Sequence, residues 1–234
     1  MSLSSRSIIR KISKIIRFFL FFFFFSTILV TIVYRFVRPP VTPLQLIRIS
    51  EQLMAGEKIK SKRKWVPLDQ ISPNMVRAVI ASEDNNFLKH YGIDFDAIRK
   101  AREMNKKGKT MRGASTVSQQ TAKNVFLWPD RTWLRKGLEV YFTGLIEIFW
   151  GKKRIMEVYL NVIEMGEGIY GVEMASETFF HKSAINLNKS EAARIAAVLP
   201  NPRRWNAGAP SAYILRRQQS IERAMGRLGK IEFQ

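Results

Sequence analysis

A hydrophobic run near the N-terminus constrains the fold of this chain more than any other feature. No charged residue occurs from Phe18 to Tyr34, and five consecutive phenylalanines, Phe21 to Phe25, lie within the run. About 17 uncharged residues are close to the lower limit for a helix that crosses a bilayer. No small-residue cleavage site follows, which argues against a cleaved signal peptide, and the terminal position argues against a buried core helix. We therefore predict a transmembrane anchor over residues 18–37.

Basic residues cluster in the segment before this run. They are Arg6, Arg10, Lys11, Lys14 and Arg17, and no acidic residue accompanies them. Because positive charge beside a membrane-spanning helix stays on the cytoplasmic side, we expect residues 1–17 to form a cytoplasmic tail. The rest of the chain then lies outside the cytoplasmic (inner) membrane, in the periplasm. That space offers no ATP or nucleotide sugar, so an enzyme there needs a substrate that is already activated.

The charge balance indicates an anionic partner. The chain has 39 lysine and arginine residues against 19 aspartate and glutamate residues, a net charge of +20. Such a chain attracts nucleic acid, acidic lipid headgroups or a phosphorylated substrate. The outward topology disfavours nucleic acid. The absence of cysteine excludes disulfides, thiolate metal sites and a cysteine nucleophile.

Composition divides the part beyond the anchor into two segments. Three prolines between residues 39 and 43 predict a stiff exit from the membrane. A basic patch at 58–64 can lie on acidic lipid, so we interpret residues 38–70 as a membrane-proximal linker. Residues 71–234 then form the main domain.

Helical patterns dominate this domain. Apolar stripes at helical spacing predict helices over residues 134–149 and 155–163. Asn188 with Glu191 has the pattern of a capping box and predicts a further helix that ends near Leu199. Alternating strand patterns are scarce, so we expect a mainly α-helical domain. The glycine clusters at residues 108–113 and 166–171 are expected to be loops.

An earlier helix brings two carboxylates to the end of an apolar face. Ser72 followed by Pro73 predicts a helix start, and the apolar residues 75–80 recur at helical spacing. The next positions on that face are Glu83 and Asp84. A carboxylate there is suited to remove a proton from a sugar hydroxyl. A solvated helix end explains the same pattern.

Other polar residues carry weaker signals. Glu139 follows Arg135 at the spacing of an ordinary ion pair on a helix. The only two histidines, His90 and His181, have no partner at metal-ligand spacing, which disfavours a zinc site or a histidine-based triad. Basic residues around the first glycine cluster are typical of a loop that closes on a phosphate, and equally of a solvated loop. The aromatic residues of segment 126–133 can bind a membrane interface or pack in the core.

Taken together, five segments in order resemble the peptidoglycan glycosyltransferase family, which includes the monofunctional transglycosylases. They lie within residues 70–205 and read EDNNFLKHYG from Glu83, GASTVSQQ from Gly113, RKGLE from Arg135, KKRIMEVYLN from Lys152 and RIAAVLPNP from Arg194. One departure is His181, where the family commonly has glycine after an aromatic-phenylalanine pair. That departure puts the conformation of this turn in doubt.

The resemblance implies a mainly α, lysozyme-like, two-lobed glycosyltransferase domain preceded by one transmembrane helix. It implies polymerisation of lipid II into linear glycan strands, by inverting transfer that releases undecaprenyl pyrophosphate, without transpeptidase activity. Glu83 would be the general base, and Glu139 would be the second catalytic carboxylate, placing the cations or the donor. The implied partners are lipid II, the growing lipid-linked strand, the membrane, and proteins of wall synthesis and division.

The same resemblance implies a set of substrate-binding residues. They are Asp84, Phe87, His90, Gly113, Ser115, Thr116, Gln119, Gln120, Lys123, Arg131, Arg135, Lys136, Lys152, Glu157, Tyr159 and Asn161. A divalent cation, Mg²⁺ or Mn²⁺, is an expected cofactor with unknown ligands, and no organic cofactor is expected. Lys123, Arg131, Arg135 and Lys136, or the divalent ion, would neutralise the leaving pyrophosphate.

Two alternatives remain open at this point. A muramidase would use two carboxylates to hydrolyse a bond between sugars, one of them as a paired acid. A non-enzymatic anchor would bind wall polymer or nucleic acid through its basic face. The ordered segments favour the glycosyltransferase over both.

Overall fold

The computed structural model describes residues 3–106 and 115–233. The chain forms two compact units, Met1–Arg38 and Pro39–Gln234. The first unit consists of a single helix, α1 (Leu3–Phe36). Its segment Arg10–Phe36, 27 residues with a mean hydropathy of 2.4, is long and apolar enough to cross a membrane. The predicted anchor over residues 18–37 coincides with the C-terminal part of this helix.

Nine α-helices, two short 3₁₀ helices (Leu68–Gln70 and Ala184–Asn186) and three short strands make up the described part of the second unit. The helices are α2 (Pro43–Met54), α3 (Pro73–Glu83), α4 (Phe95–Lys106), α5 (Val117–Phe126), α6 (Trp133–Phe149), α7 (Gly151–Val162), α8 (Val172–Phe180), α9 (Lys189–Val198) and α10 (Ala212–Arg227). The strands are β1 (Lys62–Arg63), β2 (Glu164–Gly166) and β3 (Ile169–Tyr170). The expectation of a mainly α-helical domain is confirmed.

Helix α2 begins in the stretch for which the sequence predicts a linker. Thr42 and Gln45 form a capping box, in which the Thr42 hydroxyl accepts from the Gln45 amide at 3.2 Å and the Gln45 side chain accepts from the Thr42 amide at 3.1 Å. Pro43 occupies the first helical turn, where its missing N–H costs nothing. The structure therefore differs from a linker over residues 38–70, since the compact unit starts at Pro39.

The core lies where α3 packs against α9 and α10, and where α5 packs against α6 and α7. Ser72 caps α3 and Asn188 forms a capping box with Glu191 at the start of α9, so both predicted helix starts are confirmed. The apolar face of α3 is buried from Met75 to Ala81. This packing fixes the direction in which α3 ends, and therefore the position of Glu83.

A three-stranded sheet lies beside the helices, in the order β1-β3-β2. Strand β1 is parallel to β3, and β2 is antiparallel to β3. Gly168, with φ of 69°, connects β2 and β3 and approaches the Lys60 carbonyl too closely for any side chain. The glycine cluster 166–171 is thus a hairpin with paired strands, and the expectation of a plain loop is wrong there. The other cluster, 108–113, lies outside the described residues.

His181 ends α8 in the left-handed conformation, with φ of 56° and ψ of 37°. It is the only non-glycine residue with positive φ in the described ranges. Glycine is favoured at this position because a Cβ atom is strained there. His181 therefore departs from the family pattern in residue type, but its backbone keeps the conformation that glycine favours.

Candidate active site

The carboxylate of Glu83 lies at the end of α3 and is 13% exposed. The Gln120 side-chain amide donates a hydrogen bond to its Oε2 at 3.0 Å. Tyr159, which is fully buried, donates its hydroxyl to the carbonyl oxygen of the same amide at 3.2 Å. Because the tyrosine hydroxyl donates to Oε1, the amide nitrogen must face the carboxylate. Tyr159 and Gln120 thus hold Glu83 in place through a neutral group.

Arg217 of α10 faces the other oxygen of Glu83. Its guanidinium lies 3.9 Å from Oε1, and its Nε donates to the Ala197 carbonyl at 3.1 Å. The side chain is 30% exposed, so this pair is screened by solvent. Arg217 lies outside the five family segments, and nothing in the sequence distinguishes it from the other arginines of α10. Only the packing of α10 on α9 and α3 reveals it.

The carboxylate of Asp84, next to Glu83, is already bonded to other groups of the protein. Its carboxylate lies 2.9 Å from His90 Nε2 and accepts from the Val117 amide at 3.0 Å. It is buried, and its two contacts connect the loop after α3 to the start of α5. Asp84 and His90 therefore position the loop and α5, and the substrate-binding role that the resemblance implies for them finds no support in this geometry.

The start of α5 is built from the second family segment. Thr116 and Gln119 form a capping box, and the Thr116 hydroxyl donates to the Gly92 carbonyl at 2.6 Å. Both side chains are buried and bonded to the backbone, and the substrate-binding roles implied for them stay predictions. Ser115 is exposed and is available to a ligand. Gly113 lies outside the described residues.

Glu139 lies on α6 and its carboxylate is 4% exposed. Arg135 Nη1 pairs with one of its oxygens at 2.6 Å, and the ammonium of Lys136 pairs with the other. Both oxygens of this buried carboxylate are therefore engaged by cations. The arrangement agrees with the role of placing the cations that the resemblance implies for Glu139.

A cavity of about 450 Å³ opens beside these cations. It is lined by Leu44, Arg48, Lys123, Asn124, Leu127, Trp128, Pro129, Asp130, Arg131 and Arg135. Four of these residues are basic and one is acidic. The lining combines α2, the end of α5, the loop before α6 and the first turn of α6. A small, cation-lined cavity of this kind is suited to a phosphate or pyrophosphate.

Lys123 lines the cavity and interacts electrostatically with both Glu83 and Glu139. Burial lowers the pKa of its ammonium group, and the positive charges of Arg135 and Lys136 lower that pKa further, while Glu139 and Glu83 oppose the shift. No ion pair within the described residues involves Lys123. Because its charge is poorly compensated, an anion in the cavity would stabilise it.

Arg135 and Asp130 are two further charged residues in the lining of the cavity. The Nε of Arg135 is buried and has no hydrogen-bond partner in the described part of the chain, and buried donors of this kind normally find one. The Asp130 carboxylate accepts from the Arg131 amide at 2.6 Å and so shapes the loop. Hydrogen bonding from that amide keeps the pKa of Asp130 below its usual value. The cavity therefore retains an excess of unpaired positive charge.

Comparison with known proteins agrees with this geometry. The family model described as Transglycosylase matches residues 50–226. The chain belongs to the transglycosylase family. Proteins called "Biosynthetic peptidoglycan transglycosylase" are similar to it: that of Bacteroides thetaiotaomicron is 56% identical over 95% of this chain and 90% of its own length. Those of Bdellovibrio bacteriovorus and Pseudomonas fluorescens Pf-5 are 56% and 46% identical, over 81% and 97% of this chain and 76% and 93% of their own lengths.

The family accounts for the lysozyme-like fold that the resemblance implies. Its matched region starts at residue 50, inside α2, and ends at residue 226, inside α10. Both ends reach beyond the five sequence segments. At the C-terminal end the structure explains this extent, because Arg217 of α10 faces Glu83.

The fourth family segment contributes mainly structure. Lys152 pairs with Glu147 at 2.7 Å, with its ammonium 4.7 Å from the centre of the buried Phe87 ring. The Asn161 side chain bonds both backbone groups of Val66, at 2.9 and 2.8 Å. These side chains are buried or already paired. The substrate contacts that the resemblance implies for Lys152, Phe87 and Asn161 stay predictions, and in the structure these side chains pack or pair within the protein.

Two further members of this segment have similar roles. Glu157 accepts from the Leu68 amide at 3.3 Å and pairs with Arg154. Tyr159 is fully buried and reaches the site only through Gln120. Burial raises the pKa of the Tyr159 hydroxyl well above its usual value, and the charges of Glu83 and Asp84 add to this. It therefore stays protonated and acts as a donor.

Carboxylates and histidines do not gather into a metal site in the residues that the structure describes. Asp84 is bound to His90 and Val117, and Glu139 is bound to two cations. These groups do not fit a protein-built cage for Mg²⁺ or Mn²⁺, which prefer free oxygen ligands. The expected divalent cation stays a prediction, and no step below depends on it.

The aromatic segment after α5 divides between core and surface. Leu127 is buried, while Trp128 is 39% exposed and Trp133 is 92% exposed. Leu134, next to Trp133, is 70% exposed. Of the two alternatives that the sequence leaves open for residues 126–133, the structure gives core packing to the first part and an exposed apolar surface to the second.

Proposed function

We propose that this chain is a peptidoglycan glycosyltransferase that polymerises lipid II into linear glycan strands. The observation that carries the proposal is the cation-lined cavity together with the partly exposed carboxylate of Glu83, because Lys123 lines the cavity and interacts electrostatically with Glu83. The names of the similar proteins support the same reaction class. A lipid-linked pyrophosphate sugar fits this arrangement because it brings its own activation and a strongly anionic leaving group.

In the proposed reaction Glu83 acts as the general base. Its carboxylate takes the proton of the acceptor's sugar hydroxyl, and the hydroxyl oxygen forms a bond to the anomeric carbon of the donor. The bond from that carbon to the pyrophosphate oxygen breaks at the same time, and the pyrophosphate leaves with the electron pair. Attack from the face opposite the pyrophosphate inverts the anomeric configuration. Gln120 and Tyr159 keep the base oriented toward the acceptor.

Cations supply the second half of the proposed mechanism. Lys123, Arg131 and Arg135 line the cavity and would neutralise the charge that develops on the leaving pyrophosphate. Glu139 holds Arg135 and Lys136 in place before the substrate arrives. A preorganised set of cations stabilises the transition state without rearrangement. Undecaprenyl pyrophosphate is the product we expect to leave this cavity.

The state of the carboxylates favours transfer over hydrolysis. A retaining or inverting glycosidase needs two carboxyl groups that flank the scissile bond. Here Asp84 and Glu139 are both buried and engaged, so Glu83 is the one member of this group that keeps a partly exposed carboxylate. One base with a cation-lined cavity fits a pyrophosphate leaving group better than a sugar leaving group.

We also propose the membrane placement that the sequence predicts. The apolar helix α1 would anchor the chain in the cytoplasmic membrane, with the basic tail in the cytoplasm and the transglycosylase domain outside it. The exposed side chains of Trp128, Trp133 and Leu134 are of the types that insert at a lipid interface. Trp128 is itself a lining residue of the cavity, so a lipid tail that leaves the cavity meets this surface.

A comparison of two substrates tests this function against the muramidase alternative. Arg131→Ala removes an exposed cation from the cavity, and Arg216→Ala removes an equally exposed cation of α10 as a matched control. We expect Arg131→Ala to slow lipid II turnover at least about tenfold while Arg216→Ala stays near wild type. Hydrolysis of preformed peptidoglycan is measured for wild type and for Arg131→Ala. If wild type hydrolyses it, and Arg131→Ala loses hydrolysis and lipid II turnover to the same extent, the muramidase is supported instead.

A further inference from the structure

Arg48 of α2 lies between two cavities of opposite charge. On one side is the cation-lined cavity. On the other side is a smaller cavity of about 180 Å³, whose lining contains four carboxylates against two guanidinium groups. Within the described ranges, Arg48 is the one residue that lines both. Its guanidinium can therefore interact with an anion on either side.

The other cations of the cation-lined cavity come from elements that follow one another in the chain. Lys123 belongs to α5, Arg131 to the loop after it, and Arg135 to the first turn of α6. Helix α2 supplies a separate wall, on which Leu44 and Arg48 lie one helical turn apart. An anion that fills the cavity touches both walls, and Arg48 is the cation that it meets on α2.

The guanidinium of Arg48 is only partly engaged by the protein. Its side chain is 22% exposed, and its Nη1 donates to Glu51 at 2.7 Å. Nε is buried without a partner and cannot reach a ligand. Nη2 makes no hydrogen bond to a described residue, and it is not among the buried atoms that lack a partner. Nη2 therefore has accessible surface and is available to donate to a ligand.

The ion pair between Arg48 and Glu51 is easily exchanged. Glu51 lies three residues after Arg48 on the same helix, and its side chain is 54% exposed. Ion pairs of this kind contribute little to stability, because water screens the charges. A phosphate group carries more negative charge than a carboxylate and accepts paired N–H bonds from a guanidinium. A phosphate in the cation-lined cavity therefore competes favourably with Glu51 for Arg48.

We propose that Arg48 is a further ligand of the leaving pyrophosphate, and that Glu51 holds its guanidinium before substrate binds and takes it back as the pyrophosphate departs. The inference rests on the proposed function, which supplies the pyrophosphate. The family model begins to match at residue 50, so Arg48 lies before the matched region. Helix α2, which the sequence suggests is part of a linker, thus takes a direct part in substrate binding.

Two substitutions in α2 test this role because they break the same ion pair. Arg48→Ala removes the proposed ligand, whereas Glu51→Gln removes only its competitor. Binding of inorganic pyrophosphate to the full-length protein in detergent is measured by isothermal titration calorimetry in metal-free buffer. We expect Arg48→Ala to weaken binding at least about fivefold, and Glu51→Gln to strengthen it about twofold to fivefold.

Arg99→Ala is the matched control. Arg99 pairs with Asp96 three residues away on α4, at 2.9 Å, and neither residue lines the cavity. This variant should bind pyrophosphate as wild type does. Arg48→Lys keeps the charge and loses the paired donors, so its affinity should lie between those of wild type and Arg48→Ala. The unfolding temperatures of Arg48→Ala and Glu51→Gln should change by similar small amounts, because both lose the same exposed pair.

Opposite changes of affinity in the two α2 variants are the result that the proposal requires. If Arg48 only braces α2 through Glu51, both substitutions weaken pyrophosphate binding alike, and that outcome would overturn the proposal. Equal binding in wild type and Arg48→Ala would overturn it as well. Lipid II turnover by wild type is measured alongside. Turnover without pyrophosphate binding overturns this inference alone, whereas the absence of both also contradicts the proposed function.

Discussion

Glu83 and Glu139 are the two carboxylates for which the sequence predicts catalytic roles, and their surroundings differ sharply. Glu83 is 13% exposed, is oriented by the neutral amide of Gln120, and has its nearest cation at 3.9 Å. Glu139 is 4% exposed and is clamped between Arg135 and Lys136. A carboxylate held by a neutral donor is free to take a proton, whereas one neutralised by two cations is not. The difference supports the proposal that Glu83 is the base and that Glu139 preorganises the cations.

The largest effect is expected from Glu83→Gln, which removes the proton acceptor and keeps the size of the side chain. Lipid II polymerisation in a gel assay should fall by about 10²–10⁴-fold, the usual contribution of a general base. The unfolding temperature should change little. Glu177→Gln is the matched control, since the Glu177 carboxylate pairs with Lys64 away from the cavity lining. Retention of most activity in Glu83→Gln would show that Glu83 is not the general base and would contradict the distinction drawn between Glu83 and Glu139.

Glu139→Gln should damage stability as well as activity. It leaves Arg135, whose side chain is 10% exposed, without its anionic partner. Breaking a buried pair costs about 3–5 kcal/mol, and less where a partner such as Lys136 is 40% exposed. We expect a lower midpoint in urea unfolding, together with a raised KM and a smaller loss of kcat than in Glu83→Gln. A loss of kcat equal to that of Glu83→Gln, with unchanged stability, would give Glu139 a direct chemical role.

Lys123 predicts an alkaline limit to activity. Burial lowers the pKa of its ammonium group below the ordinary lysine value, so as pH rises it loses its charge before an exposed lysine would, below about pH 10.4. Anion binding and kcat/KM should fall in the same window. Lys123→Arg stays charged, so its alkaline limb should lie at higher pH, while Lys136→Arg serves as the control. Coincident alkaline limbs in Lys123→Arg and wild type would exclude Lys123 from the anion site.

Tyr159→Phe should have a smaller effect that reports on the orientation of Glu83. It removes the hydrogen bond that fixes the Gln120 amide, worth about 1 kcal/mol, so kcat should fall by up to about tenfold. A rotated amide would present its oxygen to Glu83 and leave the carboxylate without its donor. Tyr213→Phe, on an exposed tyrosine, is the control. A kcat equal to that of wild type would show that the Tyr159 hydroxyl does not orient Glu83.

His181→Gly should affect neither carboxylate. Glycine relieves the left-handed conformation at the end of α8, which costs a non-glycine residue about 1 kcal/mol. We expect a higher unfolding temperature, polymerisation within about twofold of wild type, and no gain in His181→Ala. An unchanged or lower unfolding temperature in His181→Gly would show that the histidine side chain offsets the strain.

Local signals in the sequence account for much of the fold. Ser72 with Pro73, and Asn188 with Glu191, mark helix starts that the structure confirms, because caps depend on residues only a few positions apart. The capping box of Thr42 and Gln45 carries the same signal, but the three prolines around it favour a linker interpretation. The paired strands around Gly168 have only two or three residues each, too short for a detectable alternation.

Only part of the candidate site can be predicted from the sequence. The family segments locate Glu83, Gln120 and Arg135, and the resemblance also implies Lys123, which lies just after the second segment. They do not separate side chains that face the cavity from those that face the core, and Phe87 and Asn161 belong to the core. Arg48 and Arg217 reach the site from helices outside the segments, so only tertiary packing reveals them.

Incubation of the detergent-solubilised protein with labelled lipid II, followed by product separation before and after muramidase digestion, tests the central claim most directly. We predict that wild type converts lipid II into polymer that muramidase digests, and that Glu83→Gln leaves lipid II unchanged. Lipid II that stays intact with wild type, beside an active control enzyme, would contradict the assignment of a glycosyltransferase.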